Sequence, residues 1–287
     1  MTRLCQLYPS PVRERPLKGM YLDHAIHQLG SPSRPFVYAN FLSSLDGRIS
    51  LIDPETDHPY VPEVLTNQND FRLFLELHAQ ADCLITHGGY LRALQSGTLG
   101  NILQVGRSEM SPDLIEWRRS HGMTEQPAIV ITSASLDFPI HASIARHRQI
   151  CYIATGRRAD PERIRYWQSA GFPVLLAGHG RMVQGSALVA ELAMLGYRSI
   201  YLIAGPQMLD TMLRERQLSR LYQTISLQLL GGETFHTLLP GPPLGAAGQL
   251  ELSGLYYDSG EKNRAAQLFA QFETTTTRTT ERGATER

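Results

Sequence analysis

Short, continuously apolar runs recur along the chain, and amphipathic segments separate them. Such runs are typical of strands that are buried on both faces, as the strands of parallel sheets are. The segment from Asn67 to Gln80 has apolar residues at helical spacing, and SALVAELAMLG is a second helix that ends at Gly196. This alternation predicts an α/β fold with helices on both faces of the sheet. The predicted strands are FVYANFL (36–42), DCLIT (82–86), AIVIT (128–132), QICYIA (149–154), FPVLLA (172–177) and SIYLIA (199–204).

The last part of the chain departs from this alternation. LYQTISLQLLGG (221–232) and QLELSGLYYD (249–258) predict two long antiparallel strands, which would close the mostly parallel sheet as a hairpin. No linker divides residues 36–273, so we predict one domain there. Residues 1–35 are rich in proline and predict an extension, which could cover a sheet edge, extend an interface or shield a pocket. Residues 274–287 have no apolar side chain larger than alanine and predict a disordered tail.

The charge balance argues against a polyanionic partner. Lys and Arg together number 27, as do Asp and Glu, so the formal net charge is zero. We therefore expect no nucleic-acid or membrane partner, although a phosphate site needs only a few positive groups. The N-terminus lacks the apolar core of a secretory signal, and no apolar run approaches the ~20 residues that span a bilayer. These features predict a cytoplasmic protein whose three cysteines, Cys5, Cys83 and Cys151, are reduced.

Two strand-to-helix turns carry glycine where a ligand phosphate could bind. SIYLIA is followed by Gly205-Pro206 and a helix, and DCLIT is followed closely by Gly88-Gly89. A helix N-terminus offers unpaired N–H groups and a partial positive charge, which favour phosphate. An ordinary tight turn fits the Gly205 sequence equally well, and both interpretations stay open. Arg92 is either a phosphate contact or a solvated helix residue.

Other chemistries find little support in the sequence. The histidines are scattered without the spacing of metal ligands, so no metal site is predicted. There is no H-x-E partnered with P-C-x-x-C, which excludes a zinc deaminase, and no G-x-S-x-G elbow.

Three segments resemble one family when they are taken in order. RPFVYANFLSSLDGRIS, LHAQADCLITHGGYLRA and the block from GSALVAELAMLG to LLGGETF resemble the reductase domain of the bacterial riboflavin-biosynthesis deaminase–reductase. The resemblance covers roughly residues 35–257 and implies the dihydrofolate-reductase-like fold. It also implies NADPH as cofactor, hydride transfer to a phosphoribosylamino-pyrimidine, and a homodimer.

The resemblance also implies where ligands would bind. By position, the cofactor contacts would come from the S-L-D-G loop, from the glycine turn after the second strand, from the end of AIVIT, and from the turn and helix start after SIYLIA. His78 and Asp46 would lie nearest the substrate, where His78 would bind or protonate it and Asp46 would hold its loop. Packing of His78 on the apolar face of its helix is an equally open alternative. The implied cofactor contacts are Ser43, Ser44, Gly88, Gly89, Ser133, Gly205, Pro206, Gln207, Met208 and Leu209.

Several positions depart from the family pattern. We match the family's V-E-G-G-P to Ile203–Gln207, which puts its glutamate at Ala204, and its helix-end arginine at His78. The family's G-T-V-x-x-D loses its threonine and aspartate at Tyr90 and Leu94. Apolar groups there would leave polar atoms of the substrate unpaired, at about 1–3 kcal/mol each. No catalytic residue is therefore assigned, and two alternatives stay open: reduction of another heterocycle such as a pterin, or a non-catalytic nucleotide-binding or scaffold protein.

Overall fold

A computed structural model describes residues 2–107, 111–260 and 264–275. Strands and helices alternate through the middle of the chain, and strands dominate both ends. The strands are β1 (Arg3–Tyr8), β2 (Arg13–Pro16), β3 (Phe36–Ser44), β4 (Arg48–Ile52), β5 (Pro59–Tyr60), β6 (Cys83–His87), β7 (Ala128–Thr132), β8 (Cys151–Thr155), β9 (Val174–Leu176), β10 (Ser199–Leu202), β11 (Arg220–Ser226), β12 (Phe235–Thr237), β13 (Leu250–Asp258) and β14 (Gln267–Thr274). The helices are α1 (Gln68–Ala79), α2 (Gly88–Gln95), α3 (Pro112–Ser120), α4 (Ala142–Arg146), α5 (Pro161–Ser169), α6 (Gly185–Met194) and α7 (Pro206–Arg214).

One large sheet organises the molecule. Within the described ranges it has 11 strands, in the order β2-β1-β13-β14-β11-β3-β10-β6-β7-β8-β9. The strands from β11 to β9 run parallel, whereas the strands from β14 to β2 run antiparallel to their neighbours. A small antiparallel sheet contains β12, β4 and β5. The predicted fold class, a mixed and mostly parallel sheet with helices and a C-terminal antiparallel hairpin, is confirmed.

The partners in the hairpin differ from the prediction. β11 and β13 are not neighbours, because β14 lies between them and pairs antiparallel with both. The sequence QLFAQFET of β14 went unrecognised as a strand, although its buried residues supply the pairing that closes the sheet. β11 also ends at Ser226, so residues 227–232 form a loop rather than the end of a long strand.

Both chain ends add to the same sheet. β1 pairs antiparallel with β13, and β2 pairs with β1, so the proline-rich N-terminal segment covers an edge of the sheet. The segment that follows contains two short 3-10 helices, Leu22–His24 and Ile26–Gln28. β14 includes Thr274, the first residue of the predicted tail, and residues 276–287 lie outside the described residues. The domain boundaries inferred from the sequence remain a prediction.

The sheet separates two apolar layers. Alternate residues of β3 show the division: Val37 and Ala39 pack toward α6 and α7, whereas Phe36 and Tyr38 pack toward α1. Because alternate side chains of a strand point to opposite faces, both layers form along every central strand. Farther along the sheet, α2, α4 and α5 extend the layer on the α1 side. None of the helices within the described ranges is long and apolar enough to cross a membrane.

Parallel strands bring their carboxyl ends to one edge of the sheet. β6, β7 and β10 end there at His87, Thr132 and Leu202, and α2 and α7 begin within a few residues of these strand ends. Ligands of open α/β sheets bind at this edge, outside the carboxyl ends of the strands. The topology therefore directs attention to this one edge for the functional site.

Candidate active site

A cleft of about 710 Å³ lies across the carboxyl ends of β6, β7 and β10. Its size falls in the usual range of small-molecule and cofactor sites. The starts of α2 and α7 line it, and so do β12 and a residue shortly after it. The lining residues are His87, Gly88, Gly89, Arg92, Thr132, Ser133, Ala134, Ser135, Met182, Val183, Ala204, Gly205, Pro206, Gln207, Met208, Thr211, Phe235, His236, Thr237 and Pro240.

Two helix N-termini open onto the cleft. Gly205 is the N-cap of α7 and Pro206 its first residue, and no side chain in the described part of the chain caps this helix. Proline suits the first helical position because it has no N–H to leave unpaired. The Met208 and Leu209 N–H groups donate to the Gly205 carbonyl at 3.1 and 3.4 Å, whereas the Gln207 N–H has no partner among the described residues. That N–H is available to a ligand, and the helix dipole favours an anion there.

His87 is the N-cap of α2 and also lines the cleft. Its Nδ1 accepts the N–H of Tyr90 at 3.3 Å. Burial of the ring, and secondly the charge of Arg92, lowers the pKa of His87. The ring is therefore neutral at physiological pH, with Nδ1 committed to the helix. Sequence reasoning passed over His87, although its position between a strand and a glycine pair was a usable signal.

The part of the lining that comes from β12 depends on the small sheet. β12 pairs with β4, and His236 Nδ1 lies 3.0 Å from Ser50 Oγ. The Arg48 guanidinium lies 4.1 Å from the centre of the Phe235 ring, in the range of a cation–π contact. No apolar run or motif in the sequence marks Phe235–Thr237, because only tertiary pairing makes this exposed segment a strand.

Asp46 connects the two glycine motifs of the sequence. Its carboxylate accepts hydrogen bonds from Ser44 Oγ and from the N–H groups of Leu230 (3.3 Å) and Gly231 (2.9 Å), and it pairs with Arg48. The Ser44 hydroxyl, followed by these backbone donors and the Arg48 charge, lowers the pKa of Asp46 to about 2. The carboxylate thus fixes the S-L-D-G turn against the L-L-G-G loop. These contacts suit the predicted loop-holding role, which stays a prediction, as does the nearness of Asp46 to substrate.

The predicted cofactor residues divide between the cleft and the protein interior. Gly88, Gly89, Ser133 and the run from Gly205 to Met208 line the cleft. Ser133 Oγ also accepts the N–H of Leu136 at 2.9 Å, so it caps a turn as well. Ser43, Ser44 and Leu209 are buried and do not line the cleft.

The structure places His78 away from the cleft. Its side chain is fully buried beside Phe74 and Tyr201, and neither ring nitrogen has a hydrogen-bond partner among the described residues. Burial, and secondly the charge of Arg118, lowers its pKa to about 3. The alternative that His78 packs on the apolar face of α1 agrees with this position. A direct substrate contact would require the core to open.

Asp70 is a titratable residue near the carboxyl edge that the sequence did not single out. It lies half-buried in the first turn of α1, and its Oδ1 accepts the hydroxyl of Thr224 at 2.6 Å. Burial raises the pKa of Asp70 to about 6. Thr224 pairs with Leu42 of β3, while Leu202, two residues before Ala204, pairs with Ala39. Thr224 and Ala204 are therefore almost level along the strand direction. β11 lies two strand spacings, about 10 Å, from β10.

The departures from the family pattern have structural counterparts. If the family's proline is matched to Pro206 instead, its glutamate falls at Ile203 rather than at Ala204. Ile203 is half-buried between the apolar clusters beside α1 and α2. The Tyr90 hydroxyl donates to Gly100 O and accepts the N–H of Ile102, so Tyr90 fastens a loop instead of facing a substrate. Leu94 belongs to the core under α2.

The family model of the RibD C-terminal domain matches residues 35–259. The chain belongs to this family. Its predicted membership of the reductase family is confirmed, and with it, at the level of the family, its class as an oxidoreductase of riboflavin biosynthesis. The 2,5-diamino-6-ribosylamino-4(3H)-pyrimidinone 5′-phosphate reductase of Archaeoglobus fulgidus is 23% identical over 208 residues. That alignment covers 72% of this chain and 87% of the relative.

Solved structures share the fold. A pyrimidine reductase-like protein from Corynebacterium diphtheriae superposes with a TM-score of 0.60 at 16% identity, over 83% of this chain and 91% of its own. RibD of Acinetobacter baumannii superposes with a TM-score of 0.56 at 16% identity, over 85% of this chain and 58% of its own. The riboflavin biosynthesis reductase Rib7 of Saccharomyces cerevisiae superposes with a TM-score of 0.53 at 14% identity, over 88% of this chain and 98% of its own.

Proposed function

We propose that this protein transfers hydride from NADPH to a nitrogen heterocycle at the carboxyl edge of its sheet. The observation that carries the proposal is the cleft, which combines two helix N-termini with a glycine turn at each. Membership of the RibD C-terminal domain family supports a reductase of the riboflavin-pathway type. The identity of the cofactor and of the substrate belongs to the proposal.

The residues of the cleft fit NADPH. The start of α7, from Gly205 to Met208, would hold the pyrophosphate, and Ser133 would face the adenosine ribose or its phosphate. A Cβ atom at Gly88 would lie 2.8 Å from the Phe138 ring and 3.3 Å from Ser133 Oγ, so a side chain there would displace Phe138 or the proposed contact Ser133. When bound, the cofactor supplies the hydride, and the protein supplies its position and the surrounding charge.

Asp70 is the group best placed to serve the substrate. A carboxyl group with a pKa of about 6 is partly protonated near neutral pH, which suits a general acid. Reduction of a C=N bond needs a hydride at carbon and a proton at nitrogen, and Asp70 would hold that proton. Thr224 would orient the carboxyl through its hydroxyl. An imine formed by ring opening of the ribosylamine needs less acid assistance than an aromatic ring does.

The same carboxyl group bears on the class of substrate. When ionised, it accepts hydrogen bonds only, and it pairs best with two adjacent N–H donors. A 2-amino-4-oxo pyrimidine, such as the substrate named for the Archaeoglobus relative, presents such a pair. A uracil presents a carbonyl at the same carbon, which the carboxylate would repel. Ionised Asp70 therefore favours a 2-aminopyrimidinone over the corresponding uracil, and it favours the pterin alternative for the same reason. The acid role belongs to the protonated form, which can donate to a carbonyl and makes no such distinction.

The first experiment is a thermal-shift titration with NADPH and, in parallel, with NADH. Stabilisation by NADPH well beyond that by NADH is expected. NADPH oxidation is then followed with the diaminopyrimidinone ribosyl phosphate, its uracil counterpart and a dihydropterin. If neither cofactor binds, the cofactor proposal fails, and the non-catalytic scaffold becomes the better interpretation. Binding without turnover of any of the three would instead refute the proposed substrate class.

Two further expectations accompany the proposal. We expect a homodimer, which sedimentation velocity of the purified chain would reveal as twice the monomer mass. We expect a cytoplasmic location, which fractionation of the source cells would test.

A further inference from the structure

The His87 ring lies between the starts of two helices. A Cβ atom at Gly89 would lie 2.9 Å from His87 Nδ1, so the ring covers the first turn of α2. On its other side, a Cβ placed on Gly205 would lie 3.8 Å from His87 Nε2. The ring therefore bridges the N-cap of α2 and the N-cap of α7 at the wall of the cleft.

The helix cap decides which nitrogen carries the proton. Nδ1 accepts the Tyr90 N–H, so it cannot carry a hydrogen in that arrangement. A neutral imidazole that accepts at one nitrogen is a donor at the other. His87 Nε2 is consequently an N–H donor beside Gly205, close in sequence to the Gln207 N–H, which has no partner among the described residues.

We propose that His87 is a cofactor-binding residue that donates a hydrogen bond from Nε2 to a phosphate oxygen of NADPH at the start of α7. This inference rests on the proposed function and adds to it the donor that fixes the pyrophosphate. Arg92 also lines the cleft, and one of its guanidinium N–H groups donates to the carbonyl of Asp137. Donors from α7 and from His87 then converge on one phosphate.

Isosteric substitutions separate the two nitrogens. His87→Asn keeps an acceptor near the position of Nδ1 and a good N-cap, but it removes the donor at Nε2. His87→Gln keeps a donor near the position of Nε2 and loses the cap. His141 is a matched control, because its Nδ1 likewise accepts an N–H at a helix N-cap, that of Ser143 at 3.3 Å, and it does not line the cleft.

NADPH dissociation constants and melting temperatures are measured for the full chain and the three variants His87→Asn, His87→Gln and His141→Asn. We expect His87→Asn to melt near the wild-type temperature and to bind NADPH about tenfold to a hundredfold more weakly, the loss typical of a hydrogen bond to a charged group. His87→Gln melts at a lower temperature but binds NADPH more tightly than His87→Asn. His141→Asn binds as the wild type does.

Two results overturn the inference while leaving the proposed function intact. One is His87→Asn with wild-type affinity for NADPH, and the other is His87→Gln that binds no better than His87→Asn. Failure of the wild-type chain to bind NADPH would instead refute the proposed function itself. Inorganic pyrophosphate as a competitor adds an independent readout, since its inhibition should weaken in His87→Asn by a factor similar to that for NADPH.

Discussion

A histidine side chain has different surroundings in the layer beneath α1 and in the cleft. His78 lies under α1 with both ring nitrogens unpartnered among the described residues, whereas His87 has one nitrogen on a helix cap and the other beside a second helix start. Both rings have a lowered pKa, chiefly through burial. The contrast teaches that residue type and a perturbed pKa do not identify a site. What distinguishes the two histidines is their position relative to the carboxyl edge of the sheet.

The direction of α1 explains why its two ends differ. The helix leads directly into β6, so its last turn lies at the amino end of the parallel strands and its first turn at the carboxyl end. Asp70 in the first turn is half-buried near the ligand edge, and His78 in the last turn is sealed between α1 and β10. One face of one helix thus passes from accessible to closed over two turns.

The largest expected effect tests whether Asp70 belongs with the cleft. Asp70→Asn keeps the size of the side chain but cannot supply a proton, so we expect kcat to fall roughly 10²–10⁴-fold. The dissociation constant of NADPH should remain within about twofold, because the cleft keeps its own contacts. Stopped-flow hydride transfer and an NADPH titration check the two halves of this prediction. Wild-type turnover in Asp70→Asn would show that Asp70 has only a structural role.

The pH dependence sharpens the same contrast. With a pKa raised from 3.8 to about 6, the Asp70 carboxyl stabilises the fold below pH 3.8, and this contribution is lost as the pH rises through about 6. If turnover needs the protonated form, kcat/KM should fall about tenfold per pH unit above the pKa of Asp70 in the free enzyme. Asp70→Asn should be more stable than the wild type at pH 8 by roughly 1–3 kcal/mol. Chemical unfolding of both proteins at pH 5 and pH 8 measures this difference.

A smaller effect is expected where two loops meet at Asp46. Asp46→Asn keeps the shape of the side chain but weakens the hydrogen bonds to the Leu230 and Gly231 N–H groups and the pairing with Arg48. We expect KM for the heterocycle to rise about tenfold, since charged hydrogen bonds are stronger than neutral ones. Asp53→Asn, at the exposed turn that follows β4, is the control. An unchanged KM would separate the S-L-D-G turn from the substrate site.

The smallest effect on activity is expected at His78. His78→Leu replaces an unpartnered buried ring with an apolar side chain, so activity should be unchanged and the free energy of unfolding should rise by about 1 kcal/mol. Since the pKa of His78 is lowered from 6.5 to about 3, its contribution to stability is present above pH 6.5 and is lost as the pH falls toward 3. The variant should therefore lose less stability in acid. A large loss of activity would revive a substrate role for His78.

Local pattern sufficed for the parallel half of the sheet and for the turns at its carboxyl edge. A continuous run such as AIVIT can bury both faces only inside a sheet, and glycine after such a run marks a turn into a helix. For that reason Gly88, Gly89 and the Gly205 turn could be assigned to the cleft from their places in the chain. The family resemblance added Ser133.

Tertiary structure alone decided which polar groups meet. β14 enters between β11 and β13, and β12 becomes a wall of the cleft only because β4 pairs with it. The Thr224 hydroxyl bonds to Asp70 across 154 residues of sequence, and the His87 ring reaches from α2 to the N-cap of α7. Hydrophobic periodicity predicts the secondary structure of a segment and the face that it buries. The partner of a carboxyl group, and the burial that raises its pKa, come from segments that are far apart in the chain.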